Sequence, residues 1–227
     1  MQIDPEKKMN IIQKILKLSF SKTMSLFQVV GDCEIMNYLI QNGVDMHSYN
    51  ESLLRSSAYD GNLEMVKYLI ANGADVHANN DEALGNSVTE CHWNVVKYLV
   101  EECNADIHAN NDSALRKSAK NKNLEMVEYL LTNGADIHAN NDEALRENVT
   151  QGNLEMIKYL VEQCNADIYA QDNFALRTSA YNGDFEIVKF LVERGADIKI
   201  VDYLINPQIR NYLDSLKIIQ QYSSVYQ

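Results

Sequence analysis

Four of the five histidines recur at one position of a repeated pattern, where imidazole groups could ligate a metal. They are His47, His77, His108 and His138. A zinc ion requires its ligand nitrogens within about 2.1 Å, whereas side chains on successive packed helical units stand about 10 Å apart. Tyr169 and Lys199 occupy the same position later in the chain. We therefore interpret the histidines as structural or surface residues, and predict no metal and no cofactor. The fifth, His92 beside Cys91, has no further ligands in the sequence around it.

Aspartates recur two residues before this position, and paired carboxylates can act as general acid and base. They are Asp45, Asp75, Asp106, Asp136, Asp167 and Asp197. Acid–base catalysis requires groups that converge on one substrate, but a regular series along a repeat forms a ladder. We predict that these carboxylates accept hydrogen bonds from nearby backbone groups in turns.

Four cysteines, in a chain of 227 residues, do not form the dense pattern of a disulfide framework. Cys103 and Cys164 are interpreted as replacing glycines two units apart, about 20 Å by the same helical spacing, which is too far for a disulfide. The sequence also contains no glycine-rich phosphate loop and no nucleophile elbow. We predict that the protein is not an enzyme.

The formal net charge of −12 disfavours phosphate backbones and anionic membranes as partners. Lysine and arginine do not cluster, and no apolar run approaches the roughly 20 residues of a membrane span. The first residues lack the basic start and unbroken apolar stretch of a signal peptide. We expect an intracellular, cytoplasmic monomer that binds neither nucleic acid nor membrane.

Units of 30 or 31 residues repeat along the chain and must position these side chains. They cover residues 51–80, 81–111, 112–141, 142–172 and 173–202, after a diverged unit at 22–50. The units at 81 and 142 share an extra residue, the string CNAD and a Val-Thr pair. The units at 81 and 142 start 61 residues apart, and so do the units at 51 and 112. We therefore infer that a two-unit block was duplicated.

Each unit is predicted to fold as two short helices. In the unit at 112, the first runs from about Asp112 to Asn121, with an Asn-Asn-Asp cluster suited to N-capping. The second runs from Asn123 to Gly134 and carries an apolar stripe at helical spacing. Helices this short are marginal alone, so the units must stack.

Eight of the nine glycines fall at two repeat positions, where a left-handed residue ends a helix at low cost. One set follows the first helix and the other the second: Gly31, Gly61, Gly152 and Gly183; Gly43, Gly73, Gly134 and Gly195. Cys91 and Lys122 replace the first set in two units. Each is expected to cost up to about 1 kcal/mol if the backbone stays left-handed.

The segment GNLEMVKYLIANGADVHA, residues 61–78, resembles the second helix and following turn of the ankyrin repeat. The resemblance covers residues 22–202 and implies an all-α solenoid of about six stacked helix-turn-helix repeats. The string GADIHANNDEALR also resembles ankyrin-repeat proteins of giant DNA viruses such as mimivirus.

The chain departs from the family in two ways. The proline of the signature T-P-L-H-x-A is Ala83, Ala114, Ala144 or Ala175 here, and its histidine is Arg55, Arg116, Arg146 or Arg177, with Gly85 in the unit at 81. The units are also shorter than the usual 33 residues. Because the missing residues belong to the β-hairpin finger, we expect shortened fingers and carry over no finger-tip contacts.

Two adjacent positions vary while the apolar residues around them stay nearly constant. In ankyrin proteins they face the concave groove, so the resemblance implies that they contact a partner, with two tyrosines as anchors. Neutral variation at exposed positions is the alternative. The positions are Tyr59 and Asp60, Thr89 and Glu90, Lys120 and Asn121, Thr150 and Gln151, and Tyr181 and Asn182.

The ends of the chain fall outside the repeats. Residues 1–21 are predicted to form an amphipathic helix or an eroded capping repeat, and residues 203–227 a capping helix that begins near Pro207, followed by a polar tail. The family implies a non-catalytic scaffold that binds one protein partner in its groove. A ubiquitin-ligase substrate adaptor and a structural component of a virion remain as alternatives.

Overall fold

A computed structural model describes residues 36–37, 40–41, 45–200 and 206–225. This part of the chain contains eleven α-helices and no strand, as the prediction of an all-α fold requires. It forms two compact units, with the boundary between Ala114 and Leu115. The predicted N-terminal helix at 1–21 and most of the unit at 22–50 lie outside the described residues.

Helices α1 to α4 belong to the first unit, and α5 contains the boundary. The helices up to this point are α1 (Ser48–Tyr59), α2 (Leu63–Ala71), α3 (Ala78–Thr89), α4 (Trp93–Lys97) and α5 (Ala109–Lys120). A π-helical segment, Tyr98–Glu102, continues α4.

The second unit continues the alternation and ends in a longer helix. Its helices are α6 (Leu124–Thr132), α7 (Ala139–Thr150), α8 (Leu154–Glu162), α9 (Ala170–Asn182), α10 (Phe185–Glu193) and α11 (Pro207–Val225). We call α1, α3, α5, α7 and α9 the first helices, and α2, α4 with its π-helical continuation, α6, α8 and α10 the second helices.

Each helix contributes apolar side chains to a core that runs between neighbouring repeats. In the first unit α1 packs against α3, and in the second α7 packs against α9. Each second helix buries a leucine completely: Leu69, Leu99, Leu130, Leu160 and Leu191. Burial of one such side chain contributes about 1.5–3 kcal/mol. This tertiary burial compensates for helices of nine residues being marginal alone.

Directly after the first residue of α3, α5, α7 and α9, three consecutive residues are in left-handed conformation and connect the preceding turn to the right-handed part of the helix. In the connection to α3, Asn79, Asn80 and Asp81 have φ values of 56°, 56° and 54°. The same conformation occurs at residues 110–112, 140–142 and 171–173. Left-handed backbone costs most L-residues about 1–2 kcal/mol, and asparagine and aspartate tolerate it best because their short polar side chains bond locally.

The Asn-Asn-Asp cluster therefore serves a backbone requirement, and the prediction that it N-caps the first helix is wrong. The carboxylates of Asp81 and Asp142 bond to the histidine four residues earlier and to the backbone 25 residues later, not to their own helix. The left-handed turn also replaces the β-hairpin finger, so the expected shortening takes the form of a compact turn.

The turn between the two helices of a repeat was predicted correctly. Gly61, Gly152 and Gly183 have positive φ, and Cys91 and Lys122 adopt the same conformation, with φ of 59° and 61°. In these two repeats the side chain occupies a backbone region that favours glycine.

Cys103 and Cys164 do not replace glycines, contrary to the prediction. The left-handed position after the second helix is held by Asn104 and Asn165, with φ of 55° and 58°. The extra residue of these repeats is absorbed within the turn, where the N–H of Ala105 bonds to the carbonyl of Leu99 six residues back. The equivalent bond in the preceding repeat spans five residues.

Helix α11 follows the last repeat and packs on α10. It begins at Pro207 and buries Ile209 and Leu213, while the ring of Tyr212 lies edge-on to Phe185 with the centroids 5.4 Å apart. None of the described helices combines the length and apolar character needed to cross a membrane.

The left-handed connection predicts a marked difference between two substitutions of Asn80, which is exposed. Asn80→Val should lower the free energy of unfolding by about 1–2 kcal/mol, because a β-branched residue strains this backbone. Asn80→Gly should stay within about 0.5 kcal/mol of the parent. Urea unfolding measures both.

Asn94→Val is the matched control, since Asn94 is also exposed but lies in the right-handed helix α4. It should cost less than about 0.5 kcal/mol. Equal losses for the two valine variants would contradict the left-handed assignment.

Candidate protein-interaction surface

The ten candidate partner-binding residues lie at the C-terminal ends of the first helices. The first unit contains Tyr59 and Asp60 at the end of α1 and Thr89 and Glu90 at the end of α3. The other six belong to the second unit: Lys120, Asn121, Thr150, Gln151, Tyr181 and Asn182. All are exposed except Thr89, which is half-buried.

The two tyrosines are the large apolar groups among these candidates. Tyr59 is 48% exposed and Tyr181 is 80% exposed, the highest value for a large hydrophobic side chain in the described residues. An aromatic ring this exposed contributes little to the core, but buries a large area when a partner covers it. Tyr181 is therefore the stronger candidate anchor.

Several other candidates are already engaged within the repeats. Thr89 donates its hydroxyl to the carbonyl of Gly85 at 2.7 Å, and Thr150 donates to that of Arg146 at 2.9 Å. The ammonium of Lys120 lies 3.8 Å from the carboxylate of Glu147. These contacts hold the three side chains against their own or the following repeat.

His92 has a role in the first unit that the sequence analysis missed. Its Nε2 donates to the carbonyl of Tyr59 at 2.8 Å, and its ring covers Gly61 so closely that a Cβ there would collide with it. The imidazole thus ties the end of α1 to the next repeat. The available signal was a histidine at the position where the other repeats have asparagine or aspartate.

Each recurring histidine is paired with an acid four residues later. The Nδ1 to carboxylate distances are 2.6 Å for His47–Glu51, 3.1 Å for His77–Asp81, 3.0 Å for His108–Asp112 and 3.1 Å for His138–Asp142. The imidazoles are about half exposed, whereas the carboxylates are almost fully buried. Because a carboxylate only accepts, Nδ1 carries the proton.

The buried carboxylates also link the connection at the start of a repeat to the turn at its end. Asp81 accepts a hydrogen bond from the backbone N–H of Asp106 at 2.8 Å, and Asp142 accepts one from that of Asp167 at 2.7 Å. A charged acceptor therefore fixes each of these two connections to the next one along the chain.

The aspartate series two residues before the histidines accepts backbone hydrogen bonds, as predicted. Each carboxylate bonds to the N–H two residues on, at 2.8–3.0 Å. The six carboxylates are Asp45, Asp75, Asp106, Asp136, Asp167 and Asp197. These local turns hold the backbone that precedes each left-handed connection.

At the connection into α9, both residues of the histidine–acid pair are replaced. Tyr169 replaces the histidine and donates its hydroxyl to the carbonyl of Gly195 at 3.0 Å, and Asn173 replaces the acid. The amide oxygen of Asn173 is buried and has no partner among the described residues. A neutral amide avoids the penalty of a buried carboxylate that lacks its cation.

The side chains that could hold a metal are spread along the repeats. Within the described residues, no group of three or more His, Cys, Asp or Glu side chains is placed to bind one ion. The geometry instead presents exposed helix ends on a repeated helical frame.

Comparison with protein families identifies the family of these repeats. The family model described as "Ankyrin repeats (3 copies)" matches residues 24–111, 55–141 and 115–202. The chain belongs to the ankyrin-repeat family. Ankyrin repeats are generally non-catalytic protein–protein interaction modules. No curated protein matches the chain, and the resemblance to viral ankyrin proteins stays a prediction.

Arginines at the histidine position of the ankyrin signature link neighbouring repeats. Arg55 lies 2.6 Å from the carboxylate of Glu82, and Arg116 pairs in the same way with Glu143. Where Phe174 replaces the glutamate, the guanidinium of Arg146 lies 5.6 Å from the ring centroid. This ankyrin chain thus replaces the signature histidine with a contact between repeats.

The His47–Glu51 pair predicts a pH-dependent contribution to the stability of the fold. The hydrogen bond with Glu51 raises the pKa of His47 above 6.5, partly opposed by burial. A raised folded-state pKa stabilises the fold fully below the unfolded value and loses this effect as the pH rises through the folded value. Glu51→Gln should therefore lower the pKa of His47 and destabilise more at pH about 5.5 than at pH about 8.5.

NMR titration of the His47 ring and urea unfolding at the two pH values measure these effects. The difference should stay below about 1 kcal/mol, because the ring is 48% exposed. Glu64→Gln, which removes an exposed carboxylate paired with Lys67, should show no such difference. An unchanged His47 pKa in Glu51→Gln would show that the pair has no electrostatic role.

Proposed function

We propose that the protein is a non-catalytic scaffold that binds a protein partner through the ends of its first helices. The observation that carries this proposal is Tyr181, an aromatic side chain exposed to 80% at the end of α9. Membership of the ankyrin-repeat family supports it, because these repeats generally bind proteins.

The backbone around Tyr181 supports its role as a rigid anchor. Gly183 ends α9 in left-handed conformation, with φ of 85°, and Ser179 and Ala180 are fully buried just before the tyrosine. An anchor held by a packed helix loses little conformational entropy on binding, and this favours affinity.

The two units offer different chemistry beside their tyrosines. Asp60 and Glu90 accompany Tyr59 in the first unit, whereas the corresponding positions of the second unit carry the uncharged residues Asn121, Gln151 and Asn182. Such charge patterns select partners more than they add affinity. The formal net charge of −12 favours a protein over a nucleic acid as the partner.

Alanine substitution of the tyrosines tests the proposal. The partner is first recovered by quantitative affinity capture with the parent chain, and its Kd is then measured with purified proteins. Tyr181→Ala should weaken binding by about 30-fold or more, as loss of an aromatic hot spot does, and Tyr59→Ala should weaken it by a smaller factor. Both should leave the unfolding free energy within about 0.5 kcal/mol.

Tyr169→Ala is the matched control, because Tyr169 is 49% exposed but lies in a connection between repeats. It should bind like the parent. Unchanged binding by both Tyr59→Ala and Tyr181→Ala would overturn the surface assignment. Recovery of a cullin-type ligase together with the partner would instead support a substrate adaptor. Presence in purified virus particles, with no partner recovered, would support a virion component.

A further inference from the structure

The second helices carry an aromatic residue at one position, and the residue before it is charged. The aromatic residues are Tyr68, Tyr98, Tyr129, Tyr159 and Phe190. The preceding residue is lysine in four of the five helices: Lys67, Lys97, Lys158 and Lys189. In α6 the preceding residue is Glu128, which reverses the charge.

Two of these lysines lie over the aromatic ring of the following second helix. The ammonium of Lys67 lies 5.7 Å from the ring centroid of Tyr98 on the next second helix. The ammonium of Lys158 lies 5.9 Å from the centroid of Phe190, and the guanidinium of Arg194 approaches the same ring. Cations are attracted to aromatic faces at such distances, so the chain supplies its own cation to these rings.

Glu128 leaves the corresponding place between α6 and α8 without a cation. An open groove of about 500 Å³ lies there, lined by Glu128, Leu131, Thr132, Tyr159, Gln163 and Cys164. Among the described residues, no lysine or arginine covers the Tyr159 ring or pairs with Glu128.

Glu128 supplies the negative charge of this groove. Burial raises the pKa of the Tyr159 hydroxyl, and neighbouring Cys164 and Glu128 raise it further. Burial also raises the pKa of the Cys164 thiol. Both groups therefore stay uncharged near neutral pH, and the carboxylate of Glu128 faces a neutral, partly aromatic wall.

We propose that the groove between α6 and α8 binds the cationic side chain of a lysine or arginine from a protein partner. The carboxylate of Glu128 pairs with the cation, the Tyr159 ring contacts it from the side, and Leu131 packs against the alkyl stem. The occupant is inferred from the equivalent places beside Tyr98 and Phe190, where Lys67 and Lys158 supply the cation, and from the reversed charge of Glu128. This site lies on second helices and is independent of the proposed first-helix surface.

A pair of matched peptides tests the site in the full chain. Acetyl-Gly-Lys-Gly-amide is titrated against the ¹⁵N-labelled protein, and acetyl-Gly-norleucine-Gly-amide serves as the uncharged control. The lysine peptide should shift the amide signals of α6 and α8 saturably, with a millimolar Kd, as expected for one exposed ion pair with a cation–π contact. The norleucine peptide should not. Glu128→Gln should weaken binding at least threefold.

Charge-swap variants separate the groove from general attraction to an acidic protein. Glu128→Lys should abolish the saturable shifts, whereas Glu125→Lys, an equal charge change at an exposed position of α6, should retain them. Lys67→Glu should create a second site beside Tyr98.

Several outcomes would overturn the proposal. They are the absence of saturable shifts, shifts spread over the acidic surface, and equal loss of binding in Glu125→Lys and Glu128→Lys. Tyr181→Ala should bind the peptide like the parent, so failure of the first-helix surface and failure of this groove are distinguishable.

Discussion

The buried carboxylate at the entry to α3 and α7 is the interaction on which these repeat connections depend. Asp81 and Asp142 are 5% and 4% exposed, yet each accepts the backbone N–H of the following connection and the N–H of a histidine ring. Removing one partner of a buried charge costs about 3–5 kcal/mol. The same aspartate also ends the three-residue left-handed turn, so one side chain supports the backbone conformation and the contact between successive connections.

Contacts in a repeat protein are made between neighbours, so a contact can be altered at one place while the others are kept. Histidine and aspartate become Tyr169 and Asn173, and the glutamate opposite an arginine becomes Phe174. Such exchanges leave the helices and their buried leucines unchanged while the exposed ends of the first helices vary. This separation between fixed connections and variable ends lets one frame carry a binding surface.

The helices, the turns inside each repeat and the aspartate hydrogen bonds could be predicted because each depends on residues close in sequence. The role of the Asn-Asn-Asp cluster could not, since asparagine and aspartate suit both N-caps and left-handed backbone. The alignment of Cys103 with a glycine failed because a helix can absorb an extra residue in a wider turn. The contact of His92 with Tyr59 joins two repeats, and periodicity does not reveal such a partner.

The differences between the two copies of the inferred 61-residue block have physical meaning. Tyr59 and Lys67 in the first copy correspond to Lys120 and Glu128 in the second, while the buried leucines of the second helices are the same. At this position, glutamate in place of lysine removes a cation from an aromatic face and places a carboxylate without a paired cation beside a ring. Since this residue lies outside the core, its effect is confined to the surface, where a groove that holds its own cation becomes one that offers a carboxylate and a ring to an external cation.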